Sequence, residues 1–254
     1  DVRPVGYVLA MTFLVPTRFC GPPESGNGGW VSGHAAALLA PGPDRAVTVR
    51  LRTPPPLERP MTVSRSGDAL SVLDGDHLVL EAALDSTPGA TLAVDGIPGP
   101  VSWADAQAAA DGYEGGTDHP FPTCFSCGPA RAPGDGLRLR PGRVPGGSGE
   151  YACPWTPAPG VDLETVWAAL DCPGGWASGI AGRPMVLGTM TARVHAMPMA
   201  GHPHVVVAWQ RGSSGRKHLS GTALYAADGR LLAHAEATWI AVDPDTIRPL
   251  GGTP

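Results

Sequence analysis

Apolar and polar positions along the chain follow two rhythms, one helical and one alternating, and both occur in each half. In the first half Trp30, Val31, His34, Leu38 and Leu39 share one helical face within Asn27 to Ala40, a stretch stopped by Pro41-Gly42-Pro43. Val47, Val49 and Leu51 then alternate with Thr48, Arg50 and Arg52, and Pro60 to Ser66, Leu70 to Leu73 and Leu78 to Leu84 continue as strand-like runs with Ser-Gly and Asp-Gly turns between them. The second half predicts short strands at Leu137 to Arg140 and Glu150 to Cys153, then a helix from Asp162, a residue suited to an N-cap. Leu163, Val166, Trp167 and Leu170 make the apolar stripe of that helix, and Asp171 sits beside them on the core side, just before Pro173, which should end the regular turn. Long strands follow at Met185 to Met197, His204 to Arg211, Lys217 to Ala226 and Leu231 to Val242. The stretch between the halves is mixed, with a helical candidate at Ala104 to Ala110.

The halves echo one another in detail. Gly26-Asn27-Gly28-Gly29-Trp30-Val31-Ser32-Gly33 resembles Cys172-Pro173-Gly174-Gly175-Trp176-Ala177-Ser178-Gly179, and the run Ala69 to Leu80, joined at Asp74-Gly75, parallels Ala223 to Ala233, joined at Asp228-Gly229. Asp-Gly between apolar runs is a strong hairpin signal, and an internal repeat implies two similar units. The organisation expected is an N-terminal unit at 11–97, a linker at 98–123 and a C-terminal unit at 124–245; Met11 is a candidate start, and the first ten residues are left out of the fold argument.

With 254 residues the chain can bury a sizeable core, and its 35 glycines and 29 prolines lengthen loops rather than signal disorder, because 43% of residues are hydrophobic. A net charge of −5 without a Lys/Arg-rich run gives no footprint for nucleic acid. No apolar run is long enough to span a bilayer, so no membrane partner and a cytoplasmic location are the defaults. Five cysteines without a secretion signal point to reduced thiols. Cys124-Phe125-Ser126-Cys127 has the spacing of a zinc knuckle, but no second such pair exists and a tetrahedral site would need distant Cys153 or His119, so no metal and no cofactor are expected.

Cys124-Phe125-Ser126-Cys127-Gly128-Pro129 with Gly136-Leu137-Arg138-Leu139, and later Gly215-Arg216-Lys217, Ala223-Leu224-Tyr225, Asp228 to Ala233 and Ala237-Thr238-Trp239-Ile240, resemble in order the segments of hotdog acyl-CoA thioesterases related to phenylacetyl-CoA thioesterase. The resemblance covers Cys124 to Val242 well and Phe13 to Leu84 less well. It implies an α+β double hotdog, two antiparallel sheets each wrapping a central helix and joined into one pseudo-dimer, with an acyl-CoA substrate; a homodimer of such double hotdogs is an assembly it allows. In that family an Asp on one central helix faces a His-Gly-Gly helix start. Ala169-Leu170-Asp171 is similar to the former and Asn27-Gly28-Gly29 to the latter, with Asn for His, whereas Leu163-Glu164-Thr165 and Ala35 stand where a second copy would need His-Gly-Gly and Asp. One composite site is therefore implied, with Asp171 activating water or attacking the thioester and Gly28 and Gly29 holding the oxyanion. A competing register, Gly28-Gly29-Trp30 against Gly174-Gly175-Trp176, would give the second half glycines of its own.

Around this pair, Thr189, Thr191 and Gln210 could orient water, and Thr189 is counted with the catalytic set. Arg211, Arg216 and Lys217 around a Gly-Ser-Ser-Gly turn could meet a CoA phosphate. Trp30, Trp167, Trp176 and Met190 could line an apolar pocket, and His34, the better packed histidine than base, is counted with Trp30, Trp176 and Gln210 among the substrate-binding residues. The glycine- and proline-rich composition leans toward specialised metabolism. Two other readings stay open: a non-catalytic acyl- or CoA-ester-binding module, since Asn27 cannot shuttle a proton, and a hotdog hydratase or dehydratase, since a fold does not fix a reaction. Against the latter, no Gly-Asp-x-Asn-Pro-x-His run occurs, and His119-Pro120-Phe121-Pro122 precedes a strand rather than a helix and is set aside.

Overall fold

The computed structural model describes residues 11–85, 92 and 94–243. In place of two separate sheets, the strands form one continuous antiparallel sheet of eleven, in the order β1-β3-β4-β5-β2-β8-β11-β10-β9-β7-β6. Its strands are β1 (Thr12–Phe13), β2 (Val47–Leu51), β3 (Met61–Ser66), β4 (Ala69–Asp74), β5 (His77–Leu84), β6 (Gly142–Arg143), β7 (Tyr151–Trp155), β8 (Met185–Val194), β9 (His204–Ser214), β10 (Lys217–Ala226) and β11 (Leu231–Ala241). Each half contributes four strands after its helix, and the halves enter the sheet in mirrored order about the β2–β8 seam, where Val47 faces Ala192 and Thr48 and Thr191 share a hydroxyl hydrogen bond of 2.9 Å. The β4–β5 and β10–β11 hairpins turn at Asp74-Gly75 and Asp228-Gly229, with Gly75 and Gly229 at φ 60° and 84°, where a side chain would be strained.

Two helices pack on one face of the sheet. α1 (Gly28–Leu39) is capped by Asn27, whose Oδ1 accepts from Trp30 N at 2.8 Å, and ends at Ala40 with φ 51° before Pro41. α3 (Leu163–Ala177) is capped by Asp162, whose Oδ1 accepts from Thr165 N at 2.8 Å. The helices pack antiparallel, because Gly29 lies against Asp171 while Gly33 lies against Glu164 and Trp167. Pro173 does not end α3, which runs on to Ala177: the next two glycines press against the sheet, Gly174 on Ser220 and Gly175 on the Trp239 ring, and this packing holds the last turn despite the lost N–H.

The stretch 98–123 carries α2 (Trp103–Asp111), capped by Ser102 and laid on the opposite face of β7, β9 and β10. That cover explains the unbroken apolar run Val205 to Ala208: Val206 and Ala208 are on the face that meets α3, while Val205 and Val207 meet Ala106 and Ala109 of α2. Leu137 to Arg140 form no strand. Leu137 N and Leu139 N instead donate to Phe125 O and Ser126 O, tying the Cys-x-x-Cys loop, and Arg138 adopts φ 51°.

Two histidines make a pH-sensitive contact in this frame. His234 of β11 is buried and stacks on His195, with His195 Nε2 3.1 Å from His234 Nδ1. Burial, with His195 and Arg193 nearby, pushes the His234 imidazole down to about 4. A folded value below the unfolded one means that the native state refuses a proton the unfolded chain accepts, so the related stability is present above about pH 6.5 and is lost as pH falls toward 4. A loss of roughly 2–3 kcal/mol is expected across that window. Denaturant melts of wild type and His234→Gln at pH 7.0 and 4.5 check it: the wild type should lose more stability than the variant, and equal losses would remove His234 from the account.

Candidate active site

The start of α1 and the middle of α3 meet at one point. Asp171 is buried, and its Oδ2 accepts from Gly29 N at 2.9 Å and from Asn27 Nδ2 at 3.2 Å. Its Oδ1 has no hydrogen-bond partner among the described residues. Burial pushes this carboxyl up to about 7, with the Gly29 and Asn27 donors opposing and Cys124 beside it adding to the rise. The closeness that allows the bond depends on glycine: a Cβ on Gly29 would lie 2.3 Å from Asp171 Cβ and 2.8 Å from Trp167 O.

A cavity of about 440 Å³ opens at this point, walled by the loop into α1, by Leu51 to Pro55 and by the start of β8, with Asn27, Gly28, Asp171, Cys172, His119 and Leu187 among its lining. Gly28 N, in the first turn of α1, has no protein acceptor among the described residues, so it is the helix-start donor left for a ligand. The expected division of labour changes accordingly. Gly28 faces the cavity as an oxyanion donor would, but the Gly29 N–H is taken by Asp171 and serves to hold the carboxylate.

The remaining expected residues do not line this cavity. Thr189 is turned away because β8 carries a bulge: Leu187 pairs with Trp239 and Thr189 with Thr238, which leaves Gly188 unmatched and reverses the alternation, so that Leu187 and Met190 point to the core and Thr189 does not. Thr191 bonds Thr48 at the seam. Trp30 stacks between Phe19 and His34, and Trp176 packs on Tyr113 and His119, so both are core rings and neither lines the cavity. Met190 is fully buried. His34 Nδ1 is 3.1 Å from Glu164 Oε1 in the first turn of α3, the turn that corresponds to Gly28-Gly29 in α1. Gln210, Arg211, Arg216 and Lys217 belong to the exposed β9–β10 hairpin, where Arg211 is ion-paired with Glu236. The cation that does line the cavity is Arg52, bonded to Glu81 by Nε at 2.8 Å.

The competing register of the two Gly-Gly-Trp segments does not occur. Gly28-Gly29 opens α1, whereas Gly174-Gly175 lies in the last turns of α3, so the second half offers no glycine-opened helix start.

The structure also brings in residues the sequence reading left outside the site. His119 lines the cavity; its Nδ1 accepts from Phe121 N at 2.9 Å and its Nε2 is 3.2 Å from Cys127 Sγ. Burial pushes its imidazole down. Cys124, Cys127 and Cys172 converge beside Asp171, their sulfurs all within 4.8 Å of one another. Of the two partners considered for a Cys124-x-x-Cys127 metal site, neither belongs to the cluster: His119 sits against Cys127 outside it and Cys153 lies on β7, and the third thiol is Cys172.

No helix among the described residues is long and apolar enough to cross a membrane. No protein-family model matches the sequence, and no curated protein matches it. Among solved structures the chain is similar to a hot dog fold protein from Alicyclobacillus acidocaldarius (18% identity, TM-score 0.61, 92% of this chain and 93% of that one). It is also similar to the acyl-CoA thioesterase II TesB2 from Mycobacterium marinum (9% identity, TM-score 0.53, 92% and 93%) and to the dehydratase domain of a mycocerosic acid synthase-like PKS (13% identity, TM-score 0.59, 92% and 91%). The chain therefore has the hotdog fold, an architecture it shares with thioesterases and dehydratases.

Proposed function

We propose that the chain is an acyl-CoA thioesterase built as a pseudo-dimer of two hotdog units, 11–97 and 124–245, with one working site. The observation that carries this reading is the carboxylate of Asp171, gripped at Oδ2 by Gly29 N–H and Asn27, with Oδ1 buried and unpartnered among the described residues, in a residue that lines the same cavity as Gly28. A thioester carbonyl seated over Gly28 would place its developing oxyanion on that N–H, and Oδ1 would either take a proton from an attacking water or attack the carbonyl carbon itself. Water attack expels the CoA thiolate and leaves the free acid. Direct attack first forms a mixed anhydride, which water then opens. Neither route needs the proton shuttle that His would supply at position 27.

A second reading, hydration or dehydration of an acyl chain, is favoured by one observation, namely that His119 lines the same cavity as Asp171. Its two ring nitrogens are already engaged, by Phe121 N and by Cys127, which argues for hydrolysis. Incubation of the purified chain with saturated acyl-CoAs and with 2-enoyl-CoAs separates the two. Free CoA from saturated thioesters is the expected result, and hydration of the enoyl group without thiol release would reverse the assignment.

The opposite cleft supports a single site: Glu164 occupies the position matching Gly29, and it is held by His34 rather than by a facing carboxylate. Glu164→Gln should therefore leave kcat/KM within about twofold of wild type, while a non-hydrolysable CoA thioether binds once per chain. Two equivalent binding events per chain would overturn the one-site reading.

A further inference from the structure

We infer that Cys124, Cys127 and Cys172 form a zinc site, backed by His119, that staples the 119–128 loop to α3 beside Asp171. The three thiols come from two elements 48 residues apart in sequence and converge in the interior, with Cys124 Sγ and Cys172 Sγ 3.6 Å apart and all three sulfurs within 4.8 Å. Three thiolates bound to one tetrahedral zinc at Zn–S distances of about 2.3 Å stand about 3.8 Å from each other, so this spacing needs little adjustment to accept the ion. It is far from the S–S distance of about 2.05 Å of a disulfide, which would in any case leave Cys127 over. His119 Nδ1 accepts from Phe121 N, which leaves Nε2 as the N–H that donates to the Cys127 thiolate at 3.2 Å and supports the three-sulfur shell from outside it.

The loop has the build such a site needs. Phe121 O accepts from Cys124 N and Cys124 O from Gly128 N, each at 2.9 Å, closing the Cys-x-x-Cys turn on itself. A Cβ on Gly128 would lie 2.5 Å from Pro122 O, so only glycine lets the chain return this tightly. Asn27 Nδ2 reaches Cys124 Sγ at 3.6 Å and Cys172 Sγ at 3.8 Å, so a donor faces two of the sulfurs. Three soft thiolate ligands favour zinc over magnesium, calcium or manganese. On binding, each coordinating thiol releases its proton to solvent and no redox step is involved. The inference stands apart from the thioesterase reading, because nothing in it requires turnover.

Metal analysis of the full-length chain purified under reducing conditions, with cobalt(II) reconstitution after chelation, tests the site. One zinc per chain and a thiolate-to-cobalt charge-transfer band are expected for the wild type. Both should be lost in Cys124→Ser and Cys172→Ser and kept in Cys153→Ser, whose buried thiol lies outside the cluster. His119→Ala should weaken zinc binding at least tenfold. Should the serine variants fail to fold, the wild type still decides, since zinc removal by chelator must lower its melting temperature and zinc addition restore it. A wild-type chain that neither carries zinc nor gives the cobalt band, or one that has lost two hydrogens by mass to a Cys124–Cys172 disulfide, would overturn the inference.

Discussion

Asp171→Asn is expected to lower kcat/KM for acyl-CoA hydrolysis by at least about 10²-fold while leaving the fold intact. The separation of these effects follows from the two carboxylate oxygens. Oδ2 receives both hydrogen bonds, from Gly29 N and Asn27 Nδ2, and the carbonyl oxygen of an Asn can take its place with both donors satisfied. The new NH2 then occupies the position of Oδ1, where the native structure has no partner among the described residues, so no established bond is broken. What disappears is the negative charge and the lone pair that would attack or deprotonate, and with the charge goes the penalty for burying it. Thermal melting should therefore be unchanged or higher in the variant, with retained affinity for a non-hydrolysable CoA thioether. A variant that keeps more than a tenth of wild-type hydrolysis would show that Asp171 is a structural acid and would withdraw the mechanism.

Much of the frame was legible because its signals are local. The Asn27 and Asp162 caps, the Asp-Gly hairpins and the alternation in β2 depend on residues within a few positions of one another, and each lies where the pattern put it. The departures come from contacts between distant parts. Pro173 should stop a helix on its own, but Gly174 and Gly175 press the turn onto β10 and β11. Leu137 to Arg140 reads as a strand, but its amides are spent on the Cys-x-x-Cys loop. The joining of two sheets into one is a matter of β2 meeting β8, and nothing in either strand alone announces its neighbour.

The site divides in the same way. Asp171 was visible because an acid on an apolar helical stripe is an exception, and Asn27-Gly28-Gly29 because it opens a helix. Thr189 misled because strict alternation would put it beside Leu187, and one extra residue at Gly188 reverses the faces. Arg211, Arg216 and Lys217 cluster in sequence, yet their side chains are exposed on the β9–β10 hairpin and none of them lines the cavity, although Lys217 pairs with Ile240 at its rim. His119 carried the opposite error: it stood in a stretch without a clear element, and only the fold brings it, with Cys127, to Cys172.

Gly29→Ala should damage stability and activity together, because this glycine sits where the packing of the helices and the chemistry coincide. The added Cβ would fall 2.3 Å from Asp171 Cβ and 2.8 Å from Trp167 O, and the second of these is backbone that cannot rotate aside. α1 must shift away from α3, which carries Gly29 N off Asp171 Oδ2 and moves Gly28 relative to the carboxylate. Overpacking of this kind costs about 1–3 kcal/mol, or roughly 3–10 °C in melting temperature for a chain of this size. A displacement near 1 Å at a reacting centre can remove about 10²-fold in rate. Two other glycines separate the effects. A Cβ on Gly33 would meet Glu164 Cα at 2.7 Å and Trp167 Cβ at 2.8 Å, one helical turn from the site, so Gly33→Ala should match the loss of stability with a smaller loss of rate. Gly42 has nothing within 4 Å of such an atom, and Gly42→Ala should change neither. Melting curves and kcat/KM for the three variants check the ordering, and a Gly29→Ala protein with wild-type turnover would mean that the meeting of α1 and α3 does not set the catalytic geometry.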